Sequence, residues 1–124
     1  MPDPVFDKKE QLATIQGLLL DGESVDAVFD CKGAGTGFIG ITSKRVIYFD
    51  KAFMSNKKVI SSLPYSRIAS IATEGETGFF GGTSKLFLTT LGGSHIEFDF
   101  RGADKAKLAH TMVLTHLLAR EETR

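Results

Sequence analysis

The chain has 124 residues, enough for one domain with its own core. Fifteen Lys and Arg cancel fifteen Asp and Glu, which excludes a global pull towards nucleic acid or an anionic surface, and 42% hydrophobic residues exclude a disordered chain. The single cysteine, Cys31, excludes an internal disulfide, and no apolar run reaches the roughly 18 residues of a membrane-spanning helix. With no apolar signal segment between Met1 and Lys9, the expected protein is soluble and cytoplasmic.

In chain order, Leu12, Ile15 and Leu19 predict a helix over Asp7–Leu20, with Asp7 and Glu10 set as a capping box. Gly17 weakens it, and Asp21-Gly22 stops it. Residues 1–22 thus read as a helical extension and 23–124 as the main domain. From Ser24 to Arg101 the period becomes two. Val25, Ala27, Phe29 and Cys31 alternate with Asp26, Val28 and Asp30 in a first strand. Further strands are expected over Phe38–Thr42, Arg45–Asp50, Lys57–Leu63, Ile68–Glu76 and Lys85–Leu91, with Pro64-Tyr65-Ser66 as a corner. After a Gly92-Gly93 hairpin, a seventh strand points Ile96, Phe98 and Phe100 inward and His95, Glu97 and Asp99 outward. A final helix over Ala103–Arg120, capped by Asp104 or Gly102, gathers Leu108, Ala109, Met112, Val113 and Leu117 on one face. The expected fold is mainly β: a sandwich or partly open barrel of seven antiparallel strands, plugged by the closing helix.

The chemical motifs fail on context. Gly35-Thr-Gly-Phe-Ile-Gly40 matches a dinucleotide fingerprint in letters, yet it leads into a strand where the phosphate site needs a helix. Its glycines read instead as a loose turn and strand positions approached closely by other groups. Gly92-Gly-Ser-His-Ile96 lacks the last glycine of a nucleophile elbow. His110 and His116 diverge around their helix, so they make no zinc pair, and His116 reads as a half-buried histidine with one satisfied nitrogen. Glu97 and Asp99 read as a solvated strand face. No catalytic residue, metal site or cofactor is expected.

Two features suggest contact with a partner. In the third strand Val46, Ile47, Tyr48 and Phe49 are apolar on both faces, so the outward side needs a cover. Either the N-terminal helix or a second copy of the chain could supply it. Phe79-Phe80 sits on a glycine-rich tip. The partner-contact candidates are therefore Ile47, Phe49, Phe79 and Phe80. A lipid-contact alternative mixes Lys51, Phe53, Met54, Lys57 and Lys58 around one loop.

Four stretches carry a resemblance: "LLLDGESVDAVF", "ITSKRVIYFDK", "VISSLPYSRIASIATE" and "GGSHIEFDF". In this order, from Leu19 to Leu118, they resemble the bacterial pleckstrin-homology (PH)-like domains and their GRAM-type relatives. Ser43 stands where such domains often have Asn. The resemblance implies that Thr42-Ser-Lys-Arg45 is a hairpin tip, and Thr42 and Ser43 are suited to bonding its backbone. Some PH domains bind phosphoinositides through basic residues on the first two strands, but between Cys31 and Gly40 only Lys32 is charged. The expected function is a non-enzymatic interaction module that associates with protein, including itself, without nucleic acid. Peripheral binding to anionic lipid is the alternative.

Overall fold

The computed structural model describes residues 3–32, 36–51, 58–75 and 82–122. The elements, in chain order, are β1 (Val5–Phe6), α1 (Lys9–Gln16), β2 (Val25–Asp30), β3 (Thr36–Thr42), β4 (Arg45–Lys51) and β5 (Lys58–Pro64). A short 3-10 turn, Tyr65–Arg67, leads to β6 (Ile68–Gly75), β7 (Thr83–Thr90), β8 (His95–Arg101) and α2 (Lys105–Glu122). One sheet has the order β1-β2-β3-β4-β5 and the other β6-β7-β8. Pairing is antiparallel throughout except for β1, which lies parallel to β2.

Alternation decides what lies between the sheets. Phe29, Ile39, Ile41, Val46, Leu86, Leu88, Phe98 and Phe100 point inward and are buried. Phe29 meets Phe100 edge to face, as Tyr48 meets Phe98. Ala106, Ala109 and Val113 of α2 close one mouth of this core, so the closing helix is a plug as its apolar face requires.

Along one seam the two sheets join. Cys31 bridges to Phe100, and the Lys32 N–H donates to the Asp99 carbonyl at 2.8 Å. Along the other they separate: β5 and β6 diverge from the 3-10 turn and do not pair. Tyr65 anchors that corner, fully buried, its hydroxyl donating to the Thr42 carbonyl at 2.6 Å.

Several local expectations give way to longer-range contacts. β1 was not anticipated; its two residues are too few to show a period. The first helix is shorter than predicted, ending at Gly17, whose N–H bonds the Ala13 carbonyl. No Asp7 capping box forms. The Asp7 carboxylate instead accepts from the Asp30 N–H at 2.9 Å and from Lys105 Nζ at 2.6 Å. Nor does Asp104 supply a side-chain cap to α2. Ser84 does so from β7, accepting from the Ala106 N–H at 3.0 Å and donating to the Gly102 carbonyl at 2.7 Å. Gly93 and Gly102 take φ of 89° and 116°, where a side chain would be strained.

Candidate interaction surface

The polar knot at Thr42–Arg45 is a turn, and its cations are engaged inside the chain. The Thr42 hydroxyl accepts from the Lys44 and Arg45 N–H groups at 3.1 and 3.0 Å and donates to Glu23 Oε2 at 2.6 Å. Arg45 grips both oxygens of Glu23, Nε to Oε2 at 3.0 Å and Nη2 to Oε1 at 3.1 Å. Its remaining donors reach the Leu18 carbonyl and Ser62 Oγ. Lys44 Nζ rests on the Asp21 carbonyl at 3.3 Å. Burial by itself would raise the Glu23 carboxyl; hydrogen bonds from Arg45, Thr42 and the Leu20 N–H, together with the Arg45 charge, outweigh it and hold the group at about 2.

That pair fastens the end of a strap. Residues 5–23 cross the outer face of β2, β3 and β4. β1 pairs with β2, Asp7 holds Lys105, and Gln11 Nε2 donates to Asp30 Oδ1 at 2.8 Å. At the centre Ile15 is wholly buried with Val28, Ile47 and Phe49. Gly40 makes room for it: a Cβ there would lie 2.8 Å from Ile15 Cδ1. The third glycine of the fingerprint-like motif is thus a packing notch.

This corrects two of the partner-contact candidates. Ile47 is 0% exposed and Phe49 7%, because the chain's own α1 covers the wall that they form. Of the two covers left open by the sequence, the N-terminal helix is the one in place. Phe79, Phe80, Phe53, Met54 and Lys57 lie outside the described residues, and the side chains of Lys51 and Lys58 are not described.

The cover stops short of the sheet edge. In register, Phe38 lies beside Phe49 and Phe49 beside Ile60, so the three form one row on the outer face. Phe38 stacks on Phe49 with centroids 4.2 Å apart. Ile60 is 48% exposed and its neighbour Val59, on the opposite face, 47%. Both sit on β5, whose far edge has no strand beside it among the described residues. Two adjacent apolar residues without alternation were visible in the sequence, but only the register shows that they lie at an open edge.

Elsewhere the polar groups serve structure. His116 Nε2 meets Asp26 Oδ2 at 2.5 Å while its ring stacks on Tyr65 at 4.9 Å. Burial first, then the Asp26 and Glu23 carboxylates, push the Tyr65 hydroxyl above its ordinary range, so it remains a proton donor. Lys85 lies 3.7 Å from both Glu97 and Asp99. Among the described residues, no group of three His, Cys, Asp or Glu is placed to hold a metal ion, and no helix is long and apolar enough to cross a membrane.

Comparison with known proteins agrees with this architecture. The chain is 36% identical over 76 residues to the Uncharacterized protein YozO of Bacillus subtilis (strain 168), covering 61% of this chain and 63% of that relative's length. A pleckstrin homology domain from Shewanella amazonensis SB2B superposes with a TM-score of 0.65 at 23% identity, covering 90% of this chain and 99% of that one. A DUF1696 family protein with a pleckstrin-homology domain, from Shewanella loihica PV-4, gives 0.66 at 18% identity over 90% and 94%. At such identities these two structures speak for the fold. The GRAM-type side of the resemblance gains no support from these matches. The sequence profile described as "Bacterial PH domain" matches residues 5–117, and the chain belongs to that family.

Proposed function

We propose that this chain is a non-catalytic interaction module that associates with a second copy of itself through the free edge of β5. The PH-like fold supports an interaction module in general. The observation that carries the finer reading is the row Phe38–Phe49–Ile60, covered by α1 over Phe49 and bare at Ile60. A strand edge has unpaired backbone donors and acceptors, and an apolar one is a template for another strand. Two β5 edges meeting about a two-fold axis would join Val59 and Ile60 to their counterparts.

Light scattering after gel filtration tests this. The wild-type chain should elute at twice its own mass, and Ile60→Lys should elute as a monomer. A wild-type monomer at the highest soluble concentration removes the proposal. The lipid alternative rests on Lys51, Phe53, Met54, Lys57 and Lys58, which precede the same bare pair in the chain. Vesicles containing phosphatidylserine would pull the chain down at low salt and release it at higher salt if that reading held.

A further inference from the structure

A second edge of the molecule is open in a different way. Among the described residues β6 pairs with β7 alone. The Thr90 N–H bonds the Ser94 carbonyl on the β8 side, and the Gly82 carbonyl accepts from Gly102 on that side too. The Leu91 N–H bonds Arg67 on the β6 side. Even-numbered residues of β7 therefore face β8, and odd-numbered ones face β6. The β6 residues opposite Thr89, Phe87 and Lys85 are Ser70, Ala72 and Glu74, and these use their backbone groups on β7. The N–H and C=O groups of Ile71, Thr73 and Gly75 consequently point out of the sheet, towards the seam that β5 leaves open.

This edge lacks two of the usual guards. The sequence Ile68-Ala-Ser-Ile-Ala-Thr-Glu-Gly75 contains no lysine and no proline, and its small residues leave the backbone approachable. Beside its second half, α2 presents Ala106, Lys107, His110, Thr111 and Leu114 along one stripe, and a groove of about 510 Å³ separates strand from helix. Small residues, Gly75, Ser84 and Ala106, line it, and Leu114 adds apolar surface. The Ser84 hydroxyl is already bonded at both ends, so the lining asks for no polar ligand. The rims carry opposite charges, Glu74 on the strand and Lys107 on the helix. Among the described residues neither Glu74 nor Lys107 makes an ion pair.

We infer that this groove takes an extended segment of a partner protein, added to β6 as a fourth strand, with one apolar side chain in the slot and an acidic residue against Lys107. An extended chain is the ligand that matches alternate outward N–H and C=O groups at strand spacing. The slot accepts a side chain that points towards α2, and the cationic helix rim selects a carboxylate beside it. This site is separate from the β5 edge proposed for self-association.

The test is selection of phage-displayed twelve-residue peptides against the full chain, followed by titration of the selected peptides into wild type and two variants. Enriched peptides should carry an apolar residue close to Asp or Glu and shift the amide resonances of Ile71, Thr73 and Gly75. Thr73→Pro removes an outward N–H at an edge where proline is tolerated, and should weaken binding roughly tenfold or more. Lys107→Glu, exposed and outside the core, should weaken it several-fold and relax the acidic preference. Failure to enrich any peptide, or equal binding to both variants, overturns the inference. So does a wild-type oligomer that Thr73→Pro converts to monomer, since a second copy would then occupy the groove. Loss of self-association in Ile60→Lys with peptide binding intact separates the two sites.

Discussion

The outer wall of β2, β3 and β4 and the seam between β5 and β6 begin from the same problem, apolar or unpaired surface at the side of a sheet, and end differently. The wall is closed by residues 5–23, and the closure has polar fastenings at both ends. Asp7 reaches Lys105, Gln11 reaches Asp30, and Glu23 grips Arg45. Between them Ile15 drops into the notch left by Gly40. The seam has no comparable strap among the described residues, and Ile60 stays 48% exposed. Covering an apolar face therefore took two things here, a side chain of the right shape and polar contacts that fix where it lies. Where those contacts are missing, as at Ile60, the apolar surface stays exposed.

Among the polar fastenings of the closed side, the largest effect is expected from Glu23. Its side chain is fully buried against Arg45, which is itself mostly covered. Glu23→Ala would leave that guanidinium without its carboxylate, and a loss of about 3 kcal/mol in urea unfolding at pH 7 is expected. The wild-type pair also has a pH signature. The folded-state value of about 2 lies below the ordinary 4.5, so the contribution is complete above pH 4.5 and declines as the pH falls towards 2. The gap between wild type and Glu23→Gln should narrow over that interval. A gap that stays constant from pH 6 to pH 2 would show that the pair does not set it.

Next comes the notch. Gly40→Ala places a methyl group against three atoms of Ile15, the nearest at 2.8 Å, and overpacking of this kind costs roughly 1–3 kcal/mol. In an Ile15→Ala background the same substitution should cost close to nothing, because the obstructing atoms are gone. A double-mutant cycle measures the difference, and additive losses would mean that the strap does not seat there. Tyr65→Phe removes the donor to the buried Thr42 carbonyl, and a loss of about 1 kcal/mol is expected in the same assay.

How much of this could be read from the sequence depended on the range of the interaction involved. The strands from β2 to β8 were legible because alternation is local, and the closing helix because its apolar face repeats every turn. Gly40 was legible as a close approach, since a glycine within an apolar strand has few other reasons to be there. Arg45 was legible as part of a turn but its destination was not: Glu23 lies 22 positions earlier, and nothing local marks the two as partners. Asp7 looked like a helix cap because Glu10 follows at the right spacing, and it was drawn away by Lys105, 98 positions on. The two open edges needed the register. Ile60 is bare because it stands one strand beyond Phe49, and Thr73 faces outward because of the parity of β7.

The smallest expected effect is the most direct test of the comparison. Ile47 and Ile60 are both isoleucines on neighbouring strands of one sheet, 0% and 48% exposed. Ile47→Lys puts a charge beneath α1 with no partner, and the folded state should be lost or severely weakened. Ile60→Lys puts the same charge into solvent, and stability should change by no more than about 0.5 kcal/mol. Both are to be measured at concentrations where wild type and variant are monomeric, because self-association would otherwise add to the apparent stability of the wild type. A cost above about 2 kcal/mol for Ile60→Lys under those conditions would show that β5 is covered within the monomer. The edge would then belong to the closed side of the molecule, and an association built on it would have no surface to use.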